Sequence, residues 1–136
     1  MKSFSELLKK HRKKLGLSIQ AFSVKVNLSD VMIAEYELGY NSPSFKKALL
    51  IARELNFDLD KMLKRKYPKS DKSESGFADN LRAKRRRKKI TQEDLANKLD
   101  IARSMLSRYE NGRYIPNLTT AIKMAEFFKC SLYDFV

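Results

Sequence analysis

The chain repeats itself. Shifting it by 73 positions lays residues 4–63 on 77–136 without a gap, and twelve of the sixty paired positions are identical. Phe4 meets Phe77, Leu8 meets Leu81, Arg12 meets Arg85, Tyr36 meets Tyr109, Glu37 meets Glu110, Gly39 meets Gly112 and Pro43 meets Pro116. Positions that differ still match in character, as in Leu17 and Ile90, Phe22 and Leu95, Val26 and Leu99, or Leu28 and Ile101. This pattern predicts a duplicated unit of about sixty residues, not a solenoid of short repeats.

Between the copies, "KRKYPKSDKSESG" at 64–76 is polar, contains Pro68 and Gly76, and lacks apolar periodicity. It reads as a linker, which sets the domains at 1–66 and 77–136 with 67–76 between them. Fully extended, those thirteen residues of polar chain span at most ~45 Å, enough for two units to reach successive turns of a duplex roughly 34 Å apart.

Each copy reads as five short helices, an all-α fold. In the second copy Phe77–Lys88 is the first helix. Thr91 offers an N-cap with Asp94 three residues on, a capping-box variant. Leu95, Ala96 and Leu99 give the next helix one apolar face. The chain breaks at Asp100-Ile101, and a third helix over Arg103–Glu110 is expected to bury Met105, Leu106 and Tyr109. Asn111-Gly112 ends it, with Gly supplying a left-handed backbone. Leu118, Ala121, Ile122, Ala125 and Phe128 form the apolar face of the fourth helix, and Ser131 caps a last turn.

The run "ITQEDLANKLDIARSMLSRYENGRYIPNLTTAIKMAEFFKCSLYDFV" resembles the phage-repressor type of helix-turn-helix, the XRE/Cro-like family with its lambda-repressor-like bundle. The resemblance rests on Thr91-Gln92-Glu93, Leu95-Ala96, Ile101, Leu106, Glu110-Asn111-Gly112 and Pro116. The first copy resembles the family more faintly, through Phe22, Leu28, Ile33, Glu37, Gly39 and Pro43.

The resemblance implies that the third helix enters the major groove of double-stranded DNA. Arg103, Ser104, Ser107 and Arg108 are then the base-reading candidates. Arg can donate two hydrogen bonds to guanine, for about 1–3 kcal/mol of discrimination. The resemblance also gives Gln92 a phosphate contact, and Arg113, just after the third helix, is the second candidate. It implies structural ion pairs between Arg85 and Glu110, and between Arg12 and Glu37. Ala102 departs from the pattern, because a Ser or Thr commonly caps the third helix; the first copy has Ser29 there.

The first copy keeps the scaffold and loses the reading residues. Ile19 replaces Gln92, Asp30 replaces Arg103, Val31 replaces Ser104, Glu35 replaces Arg108 and Leu38 replaces Asn111. Carboxylates repel phosphate oxygens, and exposed Val31 and Leu38 suit a protein surface. Asp30, Val31, Glu35 and Leu38 are therefore the candidates for protein interaction or dimerisation.

The net charge of +13 favours a polyanionic partner. The expected function is a sequence-specific DNA-binding transcriptional regulator, a repressor acting as a homodimer, bacterial or phage-encoded, cytoplasmic and associated with the nucleoid through DNA binding. The alternative is a protein-interaction module, antitoxin-like or a phage-encoded inhibitor, whose first domain captures a partner. One His and one Cys provide no metal set and no acid–base constellation, so neither enzyme nor cofactor is expected. Cys130 reads as a buried packing residue in a reducing compartment, and His11 as a surface residue. The run Lys84–Lys89 resembles a nucleic-acid patch, though it lies in and after the first helix. No signal peptide or membrane span is expected.

Overall fold

The computed structural model describes residues 3–67 and 76–136. The chain divides into two compact units, Met1–Arg65 and Lys66–Val136. The polar stretch read as a linker falls largely on 68–75, outside the described residues.

The first unit contains α1 (Phe4–Lys14), α2 (Ile19–Val26), α3 (Asp30–Leu38), α4 (Phe45–Glu54) and α5 (Leu59–Met62). The second contains α6 (Phe77–Arg87), α7 (Gln92–Leu99), α8 (Arg103–Glu110) and α9 (Leu118–Phe128), then a 3₁₀ turn over Leu132–Phe135 in place of a fifth α-helix. No β-strand occurs among the described residues, and the fold is all-α as the sequence predicts. None of these helices is long and apolar enough to cross a membrane.

Helix starts follow the capping rule. Ser3, Ser18, Ser29, Ser44 and Asp58 each accept a backbone N–H at the head of α1 to α5. Thr91 and Asp94 form a reciprocal capping box on α7, and Asn117 caps α9. The helix ends repeat as well. Left-handed residues stand at Gly16 and Lys89, Asn27 and Asp100, Gly39 and Gly112, and Asn56 and Lys129, each pair one repeat apart. At Gly39 and Gly112, with φ of 79° and 76°, glycine adopts without strain a left-handed backbone that L side chains rarely take. The duplication therefore extends from apolar pattern to backbone conformation.

Each unit buries its own core at matching positions. Leu8, Phe22, Ile33, Ile51 and Leu59 are fully buried in the first unit, and Leu81, Leu95, Leu106, Met124 and Leu132 take the same places in the second. Burying each such side chain contributes about 1.5–3 kcal/mol. Helix α8 packs on α6 and α7 as α3 packs on α1 and α2, so one face of the third helix faces the core and the other faces outward.

Five side chains lie differently from expectation. Met105 and Tyr109 are half-buried, whereas Tyr36, the counterpart of Tyr109, is buried. Met124 joins the core of α9, while Ile122 flanks the apolar stripe and is half-buried. Phe128, also half-buried, lies at the helix end, where its ring packs beside Phe127 and Phe135. His11 is half-buried as well, with its ring centroid 3.5 Å from that of Phe57. Cys130 is buried.

Candidate nucleic-acid interface

The outward surface of the second unit is set by an ion pair beneath it. Arg85 on α6 donates from Nε and Nη2 to both Glu110 oxygens, at 2.7 and 3.0 Å, and from Nη1 to the Ile90 carbonyl at 2.9 Å. One guanidinium thereby ties the helix it stands on to the α6–α7 turn and to the end of α8. Arg12 makes the same three contacts in the first unit, to Glu37 at 2.6 and 2.9 Å and to the Leu17 carbonyl at 2.7 Å. Its hydrogen bonds to the Glu37 carboxylate raise the Arg12 pKa, against the opposing effect of burial. Such bidentate pairs fix orientation as well as charge.

Gln92, first residue of α7, joins this network. Its Nε2 donates to Glu110 Oε1 at 3.3 Å, and the side chain remains half-buried at the interface edge. The first unit has Ile19 at that position and so lacks this donor.

Helix α8 presents Arg103, Ser104 and Arg108 as exposed residues, with Ser107 half-buried beside them. Ser107 Oγ accepts a long hydrogen bond from Asn111 Nδ2, at 3.4 Å. Arg113 is exposed just past the helix. The Arg108 guanidinium lies over the Tyr114 ring, 5.5 Å from its centroid. Burial raises the pKa of the Tyr109 phenol.

Ala102 stands at the N-cap of α8 without a side-chain hydrogen bond, whereas Ser29 Oγ accepts the Met32 amide at 3.1 Å in the first unit. Ala102→Ser should therefore raise the stability of the second unit by about 0.5–2 kcal/mol. Urea unfolding of the two proteins measures it; an unchanged midpoint would show that packing alone holds this helix start.

The basic run on α6 is only partly free. Lys84 pairs with Asp134 at 3.4 Å, Arg85 is in the ion pair, and Lys88 lies 5.2 Å from the Phe127 ring centroid. Arg86, Arg87 and Lys89 are exposed.

On α3 the same surface is acidic and apolar. Asp30 is exposed, and Val31 and Leu38 are 61 % and 64 % exposed. Glu35 is half-buried and accepts a hydrogen bond from Asn41 Nδ2 at 2.5 Å. Tyr40, which the sequence reading passed over, is 76 % exposed beside them. An open depression of about 570 Å³ is lined by Ser18, Ile19 and Gln20 at the start of α2, by Asp30, Val31 and Ala34 on α3, and by Arg12. Tyr114 was likewise missed. Its only signal in sequence is an aromatic six residues after an outward arginine, a spacing that helical periodicity does not interpret once the helix has ended.

The helix-turn-helix family matches residues 8–62 and again residues 81–135. An uncharacterized HTH-type transcriptional regulator of Methanocaldococcus jannaschii is 44 % identical over 45 residues, which cover 33 % of this chain and 68 % of that protein. The uncharacterized HTH-type transcriptional regulator YqaE of Bacillus subtilis is 38 % identical over 56 residues, covering 41 % of this chain and 48 % of that protein. No solved structure matches with significance. With two matched segments that together take up most of the sequence, the chain belongs to the helix-turn-helix family of the XRE type and carries the family's unit twice in tandem.

Proposed function

We infer that the protein is a sequence-specific DNA-binding transcriptional regulator, a repressor, whose second unit reads the major groove with α8. The observation that carries this is the contrast between two equivalent helices. Arg103, Ser104 and Arg108 face outward on α8, where α3 has Asp30, Val31 and Glu35. Arg103 and Arg108 supply base-edge donors, and Ser104 and Ser107 can serve either strand's edges. Gln92 and Arg113 flank them as phosphate contacts. The two curated relatives are both named as HTH-type transcriptional regulators, which supports the same reading.

The first unit serves protein contact, and the active species is a homodimer on a two-part site. Val31, Leu38 and Tyr40 expose apolar surface, and Asp30 and Glu35 would repel phosphates. The same surface supports the second reading, an antitoxin-like or inhibitor module that captures a foreign protein and binds DNA only to regulate itself.

The test is binding-site selection from a random duplex library at stated salt. The full chain and a fragment of residues 77–136 should enrich the same half-site, and residues 1–66 should enrich none. Val31→Lys with Leu38→Lys should weaken self-association in sedimentation and shorten the selected site to one half. Enrichment by 1–66 alone would sink the assignment. A stoichiometric non-self protein on the first unit, with no self-association, would favour the second reading.

A further inference from the structure

We propose that Tyr114 is a specificity-determining residue that positions Arg108 for base reading; this rests on the reading of α8 as the helix that enters the groove. Three arginines surround the end of α8, and the structure uses them differently. Arg85 spends its N–H donors on Glu110 and the Ile90 carbonyl. Arg82 spends its own on Asp79, at 2.6 Å, and on the Glu110 carbonyl, at 3.2 Å. Arg108 has its guanidinium carbon over the Tyr114 ring, 5.5 Å from the centroid, and among the described residues no hydrogen bond or ion pair engages its side chain.

That difference matters chemically. A guanidinium held by a carboxylate has its charge compensated and its fork occupied. One held over an aromatic face keeps its charge and all of its in-plane N–H donors. A long, exposed Arg otherwise loses several free rotations when it seats on a guanine. The ring removes part of that loss before DNA arrives and leaves the two donors that guanine O6 and N7 require.

The first unit contains the same brace in different chemistry. Position 35 is the repeat equivalent of 108, and 41 of 114. There, Asn41 Nδ2 donates to Glu35 Oε2 at 2.5 Å. The loop after the third helix therefore reaches the same outward side chain in both copies, with an amide donor opposite the carboxylate and an aromatic face opposite the cation. The loop ends are fixed in both, by Gly39 and Gly112 in the left-handed region and by the buried Pro43 and Pro116. Tyr114 itself is 54 % exposed, so its ring is not there to fill the core.

The test uses the full chain in two measurements. In the free protein, the ring current of Tyr114 should shift the Arg108 δ-methylene protons upfield, and Tyr114→Leu should return them to ordinary values. On DNA, the probe is the duplex that the wild-type chain enriches from a random library, with each base pair substituted in turn. Arg108→Ala should flatten the preference at one or two base pairs. Tyr114→Leu should lower the preference at those same pairs by about two- to fivefold, the equivalent of one exposed cation–ring contact. Tyr114→Phe should keep the wild-type profile, and Tyr114→Leu should add nothing in the Arg108→Ala background.

An unshifted Arg108 resonance overturns the proposal, as does a uniform loss across all duplexes with Tyr114→Leu, or a loss with Tyr114→Phe as large as with Leu. Flattening by Arg108→Ala with an unchanged Tyr114→Leu profile removes the brace and leaves the reading helix standing. An unchanged Arg108→Ala profile, or no enriched duplex at all, removes the underlying reading and the role of Tyr114 with it.

Discussion

Replacing Glu110 with alanine should leave the second unit largely unfolded while the first stays intact. Glu110 is 1 % exposed and faces Arg85 through two hydrogen bonds. Removing the carboxylate strands a mostly buried guanidinium, for a cost of about 3–5 kcal/mol. The whole stability of a sixty-residue domain is about 3–9 kcal/mol by per-residue scaling, so the loss consumes much or all of it. Cys130 supplies a local probe. It is the chain's only cysteine and is buried in the second unit, so its reaction with a thiol reagent reports opening of that unit alone. Glu110→Ala should react at close to the rate of the denatured chain, and Arg85→Met with Glu110→Leu should recover most of the protection, because exchanging a buried pair for apolar residues is often neutral. Full protection in the single variant would mean that the pair contributes nothing to the fold.

The second large effect concerns Arg103. Arg103→Ala should weaken binding to the selected duplex by about 1–3 kcal/mol, roughly five- to 150-fold, and relax the preference at one base-pair position. The unfolding midpoint should not move, because Arg103 is exposed at the start of α8 and no core residue rests on it. A phosphate contact behaves differently. Arg113→Ala should weaken all duplexes alike and reduce the salt slope by about one. A uniform loss with Arg103→Ala would reassign that residue to the backbone.

The fold was legible because two copies constrain each other. One occurrence of "YEL G" or "YEN G" spacing means little, but the same spacing 73 residues apart identifies Tyr, Glu and Gly as scaffold and the intervening changes as surface. Helix α8 takes the limits Arg103–Glu110 that the break at Asp100-Ile101 and the stop at Asn111-Gly112 suggest. What escaped was long-range or terminal. Phe128 leaves the core because its helix ends there, and the 3.6-residue period cannot register an end. Lys84 looked like part of a uniform basic run, and its partner Asp134 lies 50 residues away. Tyr114 and Tyr40 lie in loops, where no periodicity tells inside from outside. The hydrogen bond from Gln92 to Glu110 was hidden for another reason: the sequence gives each residue a separate reason to exist, as phosphate ligand and ion-pair partner, and neither role implies the other.

The matched left-handed joints at Gly16 and Lys89, Asn27 and Asp100, Gly39 and Gly112, and Asn56 and Lys129 carry a last consequence. With the joints held in common, inheritance can rewrite the outer side of one copy while its frame stays untouched, much as a typeface keeps its proportions when the text is changed. The two halves of this chain share one set of joints, and their outer sides say different things to the molecules around them.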